Sequence, residues 1–280
     1  MPTSPPATAC MPTHPMVSLG TRCWRLLRLG GHIGLGLLRI LLCFPRYSLA
    51  QRQGYQQAFS RKLLVILGVR LEVLGVPPPV LFPANTLVVA NHVSWLDIVA
   101  INSTTITRFV AKSEIRDWPL IGLLATRAGT LYIERSSRRD AARINMTMAK
   151  ALKAGDCIGL FPEGTTSDGR ALLPFKSSLF DAAVKAKAQV WPVTLRFKNA
   201  DGSISDTAPY VGETHLLQSV WQLVSARGQA VEVFYGAPVS SEGHTRFSLA
   251  ERVAIEVAAP LNLTSETLGR VVETPADPPA

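Results

Sequence analysis

The sequence predicts an α/β fold, a mixed sheet flanked by helices, preceded by a membrane-associated N-terminal helical hairpin. From residue 69 onward, short runs of β-branched and aliphatic residues alternate with helical patterns, the signature of a sheet with helices packed against it. Ahead of them lie two apolar helical stretches. The charge is divided in the same way: residues 1–80 hold nine Lys/Arg against one acid, Glu72, for a net +8, while residues 81–280 net only +1.

Residues 1–20 are proline-rich and uncharged, which predicts a loose tail. Leu29 to Phe44 is a 16-residue apolar stretch broken by His32 and Arg39 and preceded by Arg22, Arg25 and Arg28. It is short for a span and carries a charge, so a helix lying in or dipping into one leaflet is expected. A cleaved signal peptide is the rival, since Ser48-Leu49-Ala50 resembles a cleavage site. The internal arginine, the 28 residues ahead of the stretch and Pro45-Arg46 argue against it. In residues 51–67, Tyr55, Phe59, Leu63, Ile66 and Leu67 form one stripe of a 3.6-residue period, and Gly68 supplies a stop. Residues 21–68 thus form the hairpin, 69–265 the main domain and 266–280 a flexible end.

Within the main domain the strand-like runs are Val69–Val73, Thr86–Ala90, Arg108–Ala111, Thr130–Glu134, Cys157–Phe161, Val190–Leu195 and Ala230–Tyr235. Helical patterns fall near 95–102, 117–127, 138–153, 177–188, 213–227 and 246–258. No internal repeat is present.

Composition removes several classes of function. The chain has 280 residues, 47% hydrophobic and 18% charged, with a mean hydropathy of +0.19. That excludes disorder and collagen, and the lack of any run of about 20 uncharged apolar residues excludes a multi-span transporter. A pI near 9.7 raises nucleic acid as a partner. The excess charge sits among leucines outside the main domain, which favours an anionic membrane surface instead. Cys10, Cys23, Cys43 and Cys157 show neither a CxxC pair nor metal-ligand spacing, so a reducing compartment and no metal are expected. The Asn-x-Ser/Thr matches at Asn102, Asn145 and Asn262 lie in or beside helical patterns and read as chance.

The strongest chemical signal is Asn91-His92-Val93-Ser94-Trp95-Leu96-Asp97, directly after a strand, where α/β folds place ligands. A neutral imidazole there can take a proton from a hydroxyl, and a carboxylate on its other nitrogen would fix the tautomer. Five residues of helix subtend about 500°, leaving two side chains about 140° apart. His92 therefore belongs on the loop and Asp97 in the first turn of the following helix. Ser94-x-x-Asp97 also reads as a capping box, which alone would explain the acid. A second signal, Phe161-Pro162-Glu163-Gly164-Thr165-Thr166-Ser167-Asp168-Gly169-Arg170, offers backbone amides, hydroxyls and a carboxylate to a polar head group; a plain Gly-Asp turn is the alternative. A third, Gly129 to Arg135, ends a strand with a guanidinium suited to an oxyanion. There is no G-x-S-x-G elbow, Walker loop or zinc spacing, so the nucleophile need not belong to the protein.

Taken in order, these motifs resemble the lysophospholipid acyltransferase family, the 1-acylglycerol-3-phosphate acyltransferases, over roughly residues 60–240. His92 and Asp97 match its H-x4-D block, Gly129–Arg135 its second, Phe161–Ser167 its third and Val190-Trp191-Pro192-Val193 its fourth. The resemblance implies acyl transfer from acyl-CoA or acyl carrier protein to a lysolipid hydroxyl, with no metal or cofactor beyond that cosubstrate. It makes His92 the general base and Asp97 its orienting partner. Lys112, Arg135, Glu163, Gly164, Thr165 and Thr166 become acceptor-binding residues, and Pro192 shapes the acyl pocket. The paired N-terminal helices match the family's membrane seat, here expected on the cytoplasmic face of a bacterial inner membrane. Many members carry arginine after Glu-Gly-Thr, where this chain has Thr166. That variant block resembles lyso-ornithine lipid acyltransferases, so the sequence leaves phosphatidic acid or ornithine lipid as product. A non-catalytic lipid-binding protein is the rival from another class, and the intact His92/Asp97 pair argues against it.

Overall fold

The acid-free N-terminal segment folds as two helices packed on each other, and the rest of the chain builds one sheet behind them. The computed structural model describes residues 15–118, 120–133 and 138–261. Helix α1 spans Leu19–Leu42, its first turn capped by the Ser18 hydroxyl, which accepts from the Thr21 amide. Helix α2, Leu49–Leu67, opens on a reciprocal capping box between Ser48 and Gln51 and stops at Gly68, whose left-handed φ of +77° favours glycine. The two helices approach closely because Gly36 has no side chain: a Cβ there would lie 2.6 Å from the Phe59 ring. His32 stacks on the same ring at 4.1 Å, and its Nε2–H donates to the Phe59 carbonyl at 3.0 Å.

The loose tail expected over residues 1–20 needs correction at its end. Met16 bridges to Ala226, and the Val17 amide donates to the Ser225 carbonyl. A distant part of the chain therefore holds this segment against the domain, a contact no local pattern announces. Residues 1–14 and 262–280 lie outside the described residues.

The strands are β1 (Val69–Gly75), β2 (Thr86–Ala90), β3 (Arg108–Lys112), β4 (Leu131–Ile133), β5 (Cys157–Leu160), β6 (Gln189–Lys198), β7 (Gln229–Tyr235) and β8 (Val239–Ser240). They pair in the order β1-β7-β6-β2-β5-β3-β4, with β8 on β6. All neighbours are parallel except β6 with β7 and β6 with β8. The helices are α3 (Leu96–Asn102), α4 (Ile121–Arg127), α5 (Arg138–Lys153), α6 (Asp181–Ala186), α7 (Leu216–Ser225) and α8 (Arg246–Ala258). The helix expected over 177–188 instead begins as a 3₁₀ turn, Ser177–Phe180, before α6. The two-residue β8 was not expected.

Both faces of the sheet are covered, and β2 shows how. Val88 and Ala90 join Leu64 and Leu67 of α2, Leu96 of α3 and Leu223 of α7 in one apolar cluster. Leu87 and Val89, pointing the other way, join Met148 and Leu152 of α5 and Val253 of α8. Every β2 residue is buried, which accounts for its uninterrupted run rather than an alternating one. The hairpin is thus a packing layer of the domain, on the same face as α3 and α7. Because β2 and β5 are parallel neighbours at the centre of the sheet, the segments that follow them, residues 91–97 and 161–170, leave side by side.

Candidate active site

The chain leaves β2 at Asn91, whose side-chain amide extends the ladder. Its Nδ2 donates to the Leu195 carbonyl at 3.0 Å and its Oδ1 accepts from the Leu195 amide at 2.7 Å. His92 comes next, on the loop, and Asp97 falls in the first turn of α3, as the spacing predicts. The His92 Nδ1–H donates to Asp97 Oδ2 at 2.7 Å. The same oxygen accepts from the amides of Val93 at 2.7 Å and Ser94 at 2.9 Å. Asp97 is fully buried while the imidazole is 21% exposed, so a fixed carboxylate holds a ring whose other nitrogen is left for a reactant. The Ser94 to Asp97 capping box forms only by half. Asp97 accepts from the Ser94 amide, but Ser94 Oγ makes no cap and is buried without a partner among the described residues. The acid is spent on the histidine as well as the helix end.

Two further contacts fix the base. Phe161 stacks on the His92 ring with centroids 4.1 Å apart and planes 8° apart, and Phe109 of β3 stacks behind Phe161 at 5.4 Å. Room for this column comes from Gly159 on β5, where a Cβ would lie 2.5 Å from the Phe109 ring. The second contact is Glu163. Its Oε1 accepts from the His92 amide at 2.6 Å and its Oε2 from the Leu173 amide at 3.0 Å. Burial pushes its carboxyl up to about 8, with the nearby Asp97 charge adding to the rise and the two amide donors opposing it. The loop also returns contacts to the histidine, since the Ser167 amide donates to the His92 carbonyl at 2.8 Å.

The other expected site residues divide three ways. Glu163 was expected to face an acceptor; instead both its oxygens hold main chain. Thr166 Oγ1 donates to the Tyr210 carbonyl, and the Tyr210 amide donates to the Val93 carbonyl at 2.9 Å, so the segment after β6 is tied across both blocks. Gly164 takes φ +74°, and Thr165 is exposed beside it. Lys112 ends β3, and Arg135 lies outside the described residues. Pro192 is buried in β6, where its carbonyl accepts from Gly236. Sequence reasoning missed Lys176. Its Nζ lies 3.0 Å from where a Cβ of Gly164 would sit, it is exposed, and no acid pairs with it among the described residues. It also missed the ring column, for which the aromatic residue opening the third block was the available signal.

This geometry is that of a positioned general base whose ring is hydrogen-bonded to no serine, threonine or cysteine among the described residues, which suits transfer of an acyl group to an incoming hydroxyl. Residues 79–196 match the model of the Acyltransferase family. The 1-acyl-sn-glycerol-3-phosphate acyltransferase of Neisseria gonorrhoeae is 37% identical over 203 residues, covering 72% of this chain and 78% of that protein. The chain belongs to the acyltransferase family. The lyso-ornithine lipid O-acyltransferase of Pseudomonas aeruginosa is also similar to this acyltransferase, 35% identical over 226 residues and covering 79% and 84% of the two chains. The crystal structure of the 1-acyl-sn-glycerophosphate acyltransferase of Thermotoga maritima shares its fold, with a TM-score of 0.65 at 23% identity over 87% of this chain and 94% of that one.

Proposed function

We propose that this acyltransferase moves a fatty acyl chain from acyl-CoA or acyl carrier protein to the free hydroxyl of 1-acylglycerol-3-phosphate, forming phosphatidic acid. The observation that carries the reading is the His92 ring held by Asp97 through Nδ1 with its other edge open. His92 Nε2 takes the hydroxyl proton as the oxygen attacks the thioester carbonyl. The carbon–sulfur bond then breaks, and the imidazolium returns the proton to the departing thiolate. The amides of Thr165 and Thr166 have no hydrogen-bond partner among the described residues, which suits them to the developing oxyanion. No resident metal or cofactor takes part; the thioester supplies the activation. Lys112, Arg135, Thr165 and Lys176 are the groups we assign to the acceptor head group.

Thr166 favours a second acceptor. With threonine in place of arginine, and its hydroxyl given to Tyr210, a phosphomonoester loses charge-assisted hydrogen bonds of about 1.5–3 kcal/mol each. A lyso-ornithine lipid has no phosphate to miss them, and the relative from Pseudomonas aeruginosa has this acceptor in its name.

The reading also seats the enzyme on one leaflet, on the cytoplasmic face of a bacterial inner membrane. No described helix is long and apolar enough to cross a membrane. Yet α1 turns Trp24, Leu27, Leu35, Leu38 and Leu42 to solvent on one side, opposite the Leu29, Gly36 and Ile40 that pack inward. Acyl transfer by detergent-solubilised enzyme, with lysophosphatidic acid and lyso-ornithine lipid offered side by side and both donors supplied, tests the reading. Transfer to either acceptor supports the reaction and assigns the head group; transfer to neither, with folded enzyme, contradicts it.

A further inference from the structure

The surface of α7 has no use in the chemistry described above. This helix carries no charged residue, and it presents different groups on its two sides. Inward, Leu223 and Val224 are buried in the core, and the buried Ser219 accepts a hydrogen bond from the Trp95 indole at 3.0 Å. Trp95 stands at the start of α3, between His92 and Asp97, so α7 is one hydrogen bond from the active-site loop. Outward, Leu217 is 83% exposed and Trp221 43% exposed.

That outer face adjoins the hairpin. Arg25 of α1 donates to the carbonyls of Val224 and Ala226 at 3.0 and 2.9 Å, closing the C-terminal end of α7. The Arg22 guanidinium lies 5.6 Å from the centre of the Trp221 ring. Met16 and Leu19, both exposed, stand at the same junction, where Met16 bridges Ala226. No residue from 15 to 71 is acidic, and neither is any residue of α7. The chemistry is therefore apolar side chains and an indole flanked by arginines, which complements the interface of an anionic leaflet.

We propose that α7 is a second membrane-contacting element, inserting Leu217 and Trp221 into an anionic phospholipid leaflet beside α1. The inference rests on the membrane-seated reading above and extends it from the hairpin to the catalytic domain. Through Trp95 and Ser219, contact with the leaflet also fixes the height of the His92 loop above the surface that supplies the acceptor.

The test is co-sedimentation with sucrose-loaded vesicles of phosphatidylglycerol and phosphatidylethanolamine, using the full chain. The Leu217→Glu/Trp221→Glu variant is expected to partition about tenfold more weakly than the parent. Ile255→Glu, an equivalent change on the exposed side of α8, is expected to leave partition unchanged. In a second measurement, lipids brominated on their acyl chains quench the parent's tryptophan emission, and Trp221→Phe is expected to remove part of the quenched fraction without a charge that would threaten folding. Parent-like partition and parent-like quenching in the α7 variants overturn the proposal. If Leu35→Glu/Leu38→Glu still abolishes binding in that case, the hairpin reading stands alone. If the parent itself does not bind these vesicles, both fall.

Discussion

The surroundings of His92 and the outer face of α1 engage their neighbours in opposite ways. Around His92, side chains are committed to one another: Asp97 to the ring and two amides, Glu163 to two amides, Asn91 to both groups of Leu195, Phe161 to the ring face. Along α1, by contrast, Trp24, Leu27, Leu35, Leu38 and Leu42 reach outward, each more than half exposed. In the first region the chain's own groups hold the base in place. The second presents an exposed apolar face of the kind that marks an interaction surface. Under the proposed function, chemistry and location sit on different residues of one packed unit, and each should be removable without the other.

The largest expected effect is at the base. His92→Ala removes the proton acceptor and is expected to abolish turnover while vesicle binding stays at the parental level, read by acyl transfer and co-sedimentation on one preparation. Asp97→Asn follows. An amide oxygen in the place of Oδ2 lacks the negative charge that stabilises the imidazolium, and an amide turned the other way fixes the wrong tautomer; either is expected to lower kcat by about 10³–10⁴-fold, in single-turnover assays.

Glu163→Gln sharpens the comparison through stability. A carboxyl raised from 4.5 to about 8 in the folded chain binds more protons folded than unfolded between those values. Its contribution to stability is therefore full below pH 4.5 and is lost as pH rises toward 8. Glutamine, unable to ionise but able to accept from only one of the two amides, should flatten that decline in a pH series of melting temperatures, with a lower plateau. An unchanged pH slope would show that the carboxyl ionises normally.

A smaller effect is expected at the ring column. Phe161→Leu keeps an apolar side chain but removes the stack, worth about 0.5–1.5 kcal/mol. The expected result is a fall in kcat of up to about tenfold with little change in the acceptor KM, restored by Phe161→Tyr; a change in KM alone would assign Phe161 to substrate binding. Leu35→Glu/Leu38→Glu is expected to alter stability least, by about 0.5 kcal/mol or less per site as surface changes do, while removing membrane binding.

How much of this the sequence disclosed depends on how local each cause is. The His92 and Asp97 arrangement was legible because five residues and one loop-to-helix transition determine it. The alternating elements were legible because burial on both faces leaves unbroken aliphatic runs such as Thr86–Ala90. Glu163 was identified, but its direction was not. Whether a carboxylate faces a ligand or a backbone amide 71 positions away depends on how two loops meet across the β2–β5 pair. The column of Phe109, Phe161 and His92 draws on three segments and on the space above Gly159, and the Met16 to Ala226 bridge joins residues 210 positions apart. None of these leaves a periodic trace.

The central claim is that an Asp97-held His92 drives acyl transfer while other surfaces hold the enzyme on its lipid. Single-turnover acyl transfer by the parent and by His92→Ala, bound to the same vesicles carrying the lysolipid acceptor, tests it most directly. The account predicts transfer by the parent and none by an equally bound His92→Ala. Transfer by the bound variant within tenfold of the parent would contradict it.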